Sequence, residues 1–375
     1  MIQLLEIGLL ALLLFWLQQK IYTQLWQKNL TALLSFQTPC IFEGEQGSLQ
    51  EVIENRKRLP LSMLKVKFQT SRNLVFDSAK GSRTTDQYYR NDVFHVGGGE
   101  RITRTVPFIG GKRGYYQIQA LDLVASDLFL TKQMVSTVPV NKSIYVYPKP
   151  FDSEEFRLAL QQLNGEVISK RHLIEDPFEY RGIREYQPFD DIRSINWKAT
   201  AKTDELKVTQ KNYTSIPSVR IFFNIEDRGV LKKEDCVEAC LQLAAGLGRF
   251  FIGQGVRVSC YGNGRDLVTD NPVILEDGAG KGQLEQLYRT LARVDTAKPV
   301  ANFRDCFLEP LLHSSANTIT CLIAPNHYPD FVELVELLQL KGERFLWFYP
   351  VWESTEPELP ESVREHIKVI HIRQV

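Results

Sequence analysis

The chain opens with a continuous apolar run. Residues 2–17 read IQLLEIGLLALLLFWL, and Glu6 is the one charged residue among them. As a helix the run spans ~24 Å, and the apolar and aromatic residues that continue to Trp26 extend it toward the ~30 Å hydrocarbon core of a bilayer. We therefore expect residues 1–28 to form a membrane-anchor helix.

The charges around this helix predict its orientation. No Lys or Arg precedes it, whereas Lys20 and Lys28 follow it, so the positive-inside rule places the bulk of a single-pass protein in the cytoplasm. Two alternatives stay open. A cleaved signal peptide is disfavoured, because it needs a basic start and a small-residue cleavage site that this segment lacks. A buried helix of a soluble domain is the other alternative.

From residue 33 to residue 148 the pattern changes to alternating polar and apolar positions rich in Val, Ile, Phe and Tyr. Period-two segments separated by Gly-rich turns predict short strands. Their spacing favours an antiparallel β-sandwich. The predicted strands cover 64–70, 73–78, 93–98, 101–108, 115–126 and 142–148.

From residue 218 to residue 375 strand-like and helix-like patterns alternate, which predicts a doubly wound α/β domain: a mostly parallel sheet with helices on both faces. The predicted strands are 218–225, 256–262, 317–325, 344–351 and 367–373, and the helices are 236–255, 282–294 and 330–342. We treat residues 149–217 as a linker that carries a short helix over 153–163 and a polar motif.

Composition narrows the functional classes. Forty-five Lys plus Arg balance 45 Asp plus Glu, so no overall basic charge favours a nucleic-acid partner. The six Cys form no CxxC pair and lie mostly in apolar runs, which is typical of reduced, buried thiols. The six His are scattered without metal-ligand spacing, and no phosphate-binding loop occurs. We predict no metal and no cofactor.

The densest charged stretch covers residues 179–215 and includes the run GIREYQPFDDIRSINWKATAKTDELKV, residues 182–208. Arginines, carboxylates and aromatic residues alternate in it, and three interpretations stay open: a structural clamp, a surface for a partner or ligand, or a catalytic site. Catalysis is the least favoured, because the neighbouring Asp190 and Asp191 would point to opposite sides of a strand. The clamp predicts a buried Trp197, whose change to Ala would cost about 3–5 kcal/mol.

This stretch closely resembles the signature of the bacterial domain-of-unknown-function 58 family, G-x-R-x-Y-x-x-G-D-x-x-R-x-I-x-W-x-x-x-A. Phe189 stands where the family has Gly. The positions from this region that we single out, as structural or partner-contacting residues, are Gly182, Arg184, Tyr186, Asp190, Asp191, Arg193 and Trp197. Weaker likenesses in the same order, such as KRGYY at 112–116, extend the resemblance over residues 40–260.

The C-terminal region resembles a von Willebrand factor A module, whose D-x-S-x-S loop after the first strand holds a divalent cation through oxygen ligands. Here Asn224, Glu226 and Arg228 occupy those three places. Arg228 brings a positive charge where a ligand oxygen would lie. We therefore expect a degenerate loop that has lost its metal, although Glu226 and Asp227 leave weak cation binding open.

The family resemblance implies a membrane protein that works as an adaptor beside a MoxR-type AAA ATPase. The sequence interpretation is thus a membrane-anchored, cytoplasmic-facing, non-enzymatic scaffold without catalytic residues. Two alternatives remain: a metal-dependent ligand-binding module of the von Willebrand A type, and an uncharacterised hydrolase that uses the carboxylates of residues 184–197.

Overall fold

A computed structural model describes residues 2–76, 83–84, 87–171, 175–188, 190–203, 205–213, 218–229, 233–298, 300–312, 318–353, 357 and 359–373. The chain divides into two compact units, Met1–Lys149 and Pro150–Val375. The division lies next to residue 148, where the sequence predicts the end of the sandwich. The residues that we treated as a linker fall within the second unit.

The described residues of the first unit form one helix and ten strands. They are α1 (Ile2–Leu25), β1 (Leu30–Phe36), β2 (Cys40–Phe42), β3 (Gln46–Asn55), β4 (Leu61–Ser71), β5 (Leu74–Phe76), β6 (Arg83–Thr84), β7 (Gln87–Val96), β8 (Glu100–Gly110), β9 (Gly114–Ser126) and β10 (Gln133–Tyr147). Four strands form one sheet in the order β1-β3-β8-β5, and six form the other in the order β2-β10-β9-β4-β7-β6. The predicted β-sandwich is confirmed.

Inward-facing residues of both sheets form the sandwich core, and buried charged side chains lie among them. On β3 every second residue is buried, so Glu51 faces the same side as Leu49 and Ile53. Arg90 and Asp92 of β7 are also buried and form an ion pair. Arg104 of β8 lies opposite Glu51 and donates to Asp92 over 2.9 Å.

The end of α1 packs against the sandwich. Tyr22 and Trp26 are buried in its core, and the Tyr22 hydroxyl donates to the Pro60 carbonyl over 3.1 Å. The sequence counted the residues up to Trp26 toward the membrane helix, but Tyr22 and Trp26 cover apolar residues of the sandwich instead. Aromatic rings contribute large buried areas to a core.

The preceding part of α1 has little cover from the described residues. Its large apolar side chains from Leu5 to Leu17 are exposed apart from the half-buried Phe15, and the helix is long and apolar enough to cross a membrane. A second helix, Glu234–Gly253, passes the same length and composition test but is mostly buried. It is therefore a core helix of the second unit, and α1 is the candidate membrane span among the described residues.

The second unit alternates helices and strands. They are α2 (Glu154–Arg171), β11 (Glu175–Glu185), a 3-10 turn (Ile192–Ser194), α3 (Trp197–Thr203), β12 (Lys207–Tyr213), β13 (Ser218–Phe223), α4 (Glu234–Gly253), β14 (Arg257–Asp266), β15 (Pro272–Gly278), α5 (Lys281–Ala292), β16 (Val294–Asp295), α6 (Phe303–Leu312), β17 (Thr318–Ile323), α7 (Pro329–Leu340), β18 (Phe345–Trp352), a second 3-10 turn (Glu361–His366) and β19 (Ile367–Ile372).

The main sheet runs β15-β14-β13-β17-β18-β19, with parallel pairing from β14 to β19 and the antiparallel β15 at one edge. Helices cover both faces. On β18 the Trp347 ring lies 4.9 Å from Phe331 of α7, and the next residue, Phe348, lies 5.6 Å from Phe156 of α2. Neighbouring residues of a strand point to opposite faces, so α7 and α2 lie on opposite sides.

Helix α2 belongs to this unit and does not act as a linker. The Ser153 hydroxyl accepts from Phe156 N over 3.2 Å and caps the helix. Phe156 packs so closely on Gly246 of α4 that a Cβ there would lie 2.9 Å from its ring. The predicted short helix over 153–163 is therefore the start of a longer helix that packs on the main sheet.

Candidate functional site

The carboxyl ends of the parallel strands form the edge where open sheets of this kind bind ligands. Asn224 follows β13 directly and is buried, and its backbone N donates to Ile323 O over 2.7 Å. Its side-chain Oδ1 accepts from Glu226 N over 2.9 Å and from Asn263 Nδ2 over 2.7 Å. Asn224 thus fixes the loop with its side chain, as a local turn-forming residue does.

Arg228 holds two carboxylates of this edge together. Its Nε donates to Glu226 Oε1 over 2.9 Å, and its Nη2 donates to Asp330 Oδ2 over 2.6 Å. The guanidinium also lies over the Tyr328 ring, 4.6 Å from its centroid. Asn302 Nδ2 donates to the same Asp330 Oδ2 over 2.8 Å. The guanidinium group of Arg228 therefore lies between Glu226 and Asp330, two carboxylates that could otherwise face a metal ion.

The electrostatics of Asp330 follow from these bonds. The hydrogen bond from Arg228 lowers the pKa of Asp330, and the bond from Asn302 adds to the effect against the opposing influence of partial burial. The same carboxylates raise the pKa of Arg228. Arg228 and Asp330 therefore stay ionised and neutralise each other.

Asp227 also has local partners. Its Oδ1 accepts from Gly229 N over 2.8 Å, and its Oδ2 accepts from Lys233 N over 2.7 Å at the start of α4. Among the described residues, no group of three or more His, Cys, Asp or Glu side chains is arranged to hold a metal ion.

A cavity of about 480 Å³ opens beside this loop. His327 Nδ1 lies 3.2 Å from the Tyr349 hydroxyl in its wall, and Lys233 lies on the opposite loop. Burial raises the pKa of Tyr349 to about 12, so its hydroxyl stays protonated at neutral pH. The mixed polar and aromatic wall can accommodate a side chain or a chain end of a partner.

The signature region forms a small antiparallel hairpin of β11 and β12. Arg184 makes a two-pronged ion pair with Asp190, with Nη1 to Oδ2 at 2.6 Å and Nη2 to Oδ1 at 2.5 Å. Gln187 N donates to the same carboxylate over 2.8 Å. The Arg184 bond lowers the pKa of Asp190, and the Gln187 bond contributes. This ion pair closes the loop after β11, as a clamp would.

The neighbouring Asp190 and Asp191 have different hydrogen-bond partners. Asp191 Oδ1 accepts from Arg193 N over 3.0 Å and caps the 3-10 turn. Asn196 Oδ1 accepts from Ala199 N over 3.0 Å and starts α3. Asp190 and Asp191 therefore do not converge on one point. Phe189, the departure from the family pattern, lies outside the described residues, whereas Gly182 has open space where a Cβ would stand.

Trp197 does not lie where the clamp interpretation placed it. Its side chain is 65% exposed, and Ile192 on the preceding turn is 68% exposed. The expectation of a buried ring is wrong: Trp197 is the first residue of α3, and its side chain is left largely exposed there. Ile183 and Leu206 of the same hairpin are also exposed.

The sequence identified Asn224, Glu226 and Arg228 but not the residues that complete their site. The site is completed by residues later in the chain, from loops, from strand β18 and from the first turn of α7: Asn302, His327, Tyr328, Asp330 and Tyr349. Polar residues that directly follow the predicted strand 317–325 were the available signal, since strand ends of a parallel sheet meet at one edge.

No family model matches the chain, and no curated protein matches it significantly. Among solved structures, a non-cellulosomal cohesin from Archaeoglobus fulgidus is 13% identical, covering 35% of this chain and 97% of that one, with a TM-score of 0.22. The CARDB domain of the PF1109 protein from Pyrococcus furiosus, in complex with di-metal ions, is 14% identical over 30% of this chain and 91% of that one, with a TM-score of 0.21. At such scores neither likeness supports a conclusion about this chain.

Proposed function

We propose that this chain is a membrane-anchored scaffold or adaptor without enzymatic activity, with its bulk in the cytoplasm, and that it binds a MoxR-type AAA ATPase. The partner comes from the resemblance of residues 182–201 to the domain-of-unknown-function 58 signature. The parallel-sheet unit, which resembles a von Willebrand factor A module, presents the signature hairpin and the cavity to that partner.

One observation carries the proposal: Trp197 is exposed on a rigid frame. The Arg184–Asp190 ion pair, the Asp191 cap and the Asn196 cap fix the backbone around it. Ordered, exposed tryptophans are strongly enriched among residues that dominate binding at protein interfaces. A frame that holds such a ring in water favours a partner surface over an internal clamp.

The docked end of α1 supports an anchor that stays attached. Tyr22 and Trp26 form part of the sandwich core, and Gln18 Nε2 donates to Asp127 Oδ2 over 3.0 Å. Removal of a segment that includes Tyr22 and Trp26 would leave a cavity in the core. The loss of each ring would cost about 3–5 kcal/mol of folding free energy. A cleaved signal peptide would not be built into the fold in this way.

The test is retention of the ATPase by the full chain in native membranes. Trp197→Ala should reduce recovery of a co-expressed MoxR-type ATPase by at least about tenfold, the equivalent of one lost hot-spot residue. It should change the free energy of unfolding by no more than about 0.5 kcal/mol, because the ring is exposed. Leu340→Ala is the matched control, since Leu340 is a large exposed apolar residue of the same unit.

Two outcomes would overturn the proposal. If Trp197→Ala and Leu340→Ala both retain the ATPase at the wild-type level, the hairpin is not the contact surface. If Trp197→Ala unfolds the protein, the ring is part of a structural clamp. A photocrosslinking residue at position 197 that captures the ATPase would provide direct support without removing a side chain from the fold.

A further inference from the structure

Three consecutive large apolar residues lie exposed at the tip of the turn between β9 and β10. Leu128, Phe129 and Leu130 are 50%, 58% and 56% exposed. Surface apolar residues usually occur singly, and a contiguous group marks a contact with a partner or a membrane. The turn belongs to the first unit, which also contains the uncovered apolar part of α1.

The turn is rigid because of the buried Asp127 at its base. The Asp127 carboxylate accepts from Thr131 N and Thr131 Oγ1, both over 2.6 Å, from Lys132 N over 3.0 Å and from Gln18 Nε2 over 3.0 Å. Burial alone would raise its pKa, but these hydrogen bonds lower the pKa of Asp127 to about 2. The apolar tip is therefore presented in one fixed conformation.

Leu130 occupies a backbone position that disfavours it. Its φ is +59°, in the left-handed region where Gly or Asn is the usual residue and where a branched apolar side chain costs about 1 kcal/mol. The protein holds a leucine there, in water, without burying it. A hydrophobic environment outside the protein would offset this cost.

The tip lies beside α1 at the point where the uncovered part of the helix ends. The rings of Phe15 and Phe129 are 5.7 Å apart, and Gln19 Nε2 donates to Thr131 Oγ1 over 3.3 Å. From Leu14 toward the N-terminus, the side chains of α1 contact no described part of the sandwich in a hydrogen bond or ring contact. The exposed apolar surface of the helix thus continues directly onto the turn.

The ring contact between Phe15 and Phe129 lies near the end of the exposed apolar part of the helix, which continues to Leu17. A bilayer that surrounds these apolar side chains therefore extends to the level of the turn. Lys20, above the Trp16 ring at 4.9 Å, and the exposed Lys132 lie just beyond this level, where basic side chains meet anionic headgroups.

We propose that Leu128, Phe129 and Leu130 are a second membrane-contact element, which enters an anionic phospholipid bilayer beside α1 and fixes the sandwich against the membrane surface. This inference rests on the membrane-anchor part of the proposed function. The turn contacts the lipid bilayer and not a second protein, because the apolar surface of the turn is continuous with that of the helix.

The test uses the full chain in vesicles of phosphatidylglycerol and phosphatidylethanolamine. A photocrosslinking p-benzoylphenylalanine replaces Phe129, Leu10 or Val75 in turn, and the adducts are identified by mass spectrometry. Leu10 reports on the helix, and Val75 is the control because it is an exposed apolar residue of the sandwich on β5. We expect lipid adducts at positions 129 and 10, with several-fold lower yield at 75.

The outcomes separate the two proposals. Lipid adducts at position 10 but only background yield at 129 would overturn the turn's role while the anchor stands. Background yield at both positions would overturn the anchor. Adducts from position 129 to a protein would also overturn the inference. As a second readout, Phe129→Asp should lower the lipid adduct yield of a probe at position 128 several-fold and leave the yield at position 10 unchanged.

Discussion

Two regions of this protein bring arginine and carboxylate side chains together, with opposite consequences. At the sheet edge, Arg228 donates hydrogen bonds to both Glu226 and Asp330 from separate nitrogen atoms. In the sandwich, Arg90 and Arg104 both form ion pairs with Asp92. Glu51, buried nearby, receives no hydrogen bond from a described side chain.

The difference shows in how the acids ionise. The pKa of Asp330 is lowered by its hydrogen bond from Arg228. Burial raises the pKa of Glu51 to about 7; the charge on Asp92 adds to this effect, and the charges on Arg90 and Arg104 oppose it. At Asp330 a donor aimed at the carboxylate outweighs burial, whereas at Glu51 the proximity of two arginines does not offset it.

The largest effect is expected from breaking the buried pair. Arg90→Met should destabilise the sandwich by about 3–5 kcal/mol, because it leaves the buried Asp92 without its main partner. The measurement is hydrogen exchange of peptides from β3, β4 and β8 in the detergent-solubilised chain. Arg104→Met is the matched control, since Arg104 is 40% exposed and its loss should cost far less. Equal losses in the two variants would contradict the distinction.

Glu51 gives the next largest effect, and it depends on pH. Its folded pKa of about 7 lies above the unfolded value near 4. The folded state therefore binds the extra proton, and the stability of the sandwich falls as pH rises from about 4 to 7 and levels off above that. Glu51→Gln should remove this fall and stabilise the sandwich by about 1–3 kcal/mol at pH 8.

Hydrogen exchange at pH 4.5 and pH 8 measures this difference. Glu54→Gln on the same strand is the control, because its carboxylate lies on the outer side and pairs with Arg56; it should give no gain at pH 8. A wild-type sandwich that is equally stable at both pH values would show that Glu51 ionises normally.

The smallest effect concerns the sheet edge. Wild-type protein should show no change in melting temperature with Mg²⁺, since Arg228 already neutralises Glu226 and Asp330. The paired change Asn224→Asp and Arg228→Ser removes that cation and adds oxygen ligands. With Mg²⁺ at ten times its dissociation constant, the variant should gain about 1.4 kcal/mol. Stabilisation of the wild type by Mg²⁺ would instead favour a metal-dependent ligand-binding module.

Periodicity located most of the regular structure but missed elements that break the usual patterns. The predicted alternating segments overlap β4, β5, β7, β8, β9 and β10, whereas β1, β2, β3 and β6 escaped prediction. In β3, Glu51 and Asn55 are polar residues on the core-facing side, which hides the alternation. Helix α6 contains Pro310, a residue that ordinarily ends helices. The resemblance to a von Willebrand factor A module and the ATPase partner stay predictions.

The candidate site was predictable only in part, because its contacts are non-local. Arg228 and Asp330 are 102 residues apart along the chain, and no local pattern links them. Trp197 shows a different difficulty. An aromatic residue among alternating charges has the same sequence pattern whether its ring is covered or exposed, so the exposure of Trp197 could be seen only in the structure.

The docking of Tyr22 and Trp26 also affects the order of assembly during synthesis. These two rings leave the ribosome before every strand that covers them, and β10, which pairs with β9 in the core sheet, ends only at Tyr147. Chains are synthesised at about 5–20 residues per second, so both rings stay uncovered for several seconds before the strands that bury them have been made. A translocation machinery or chaperone that shields the nascent helix during this interval would therefore protect the sandwich from misfolding.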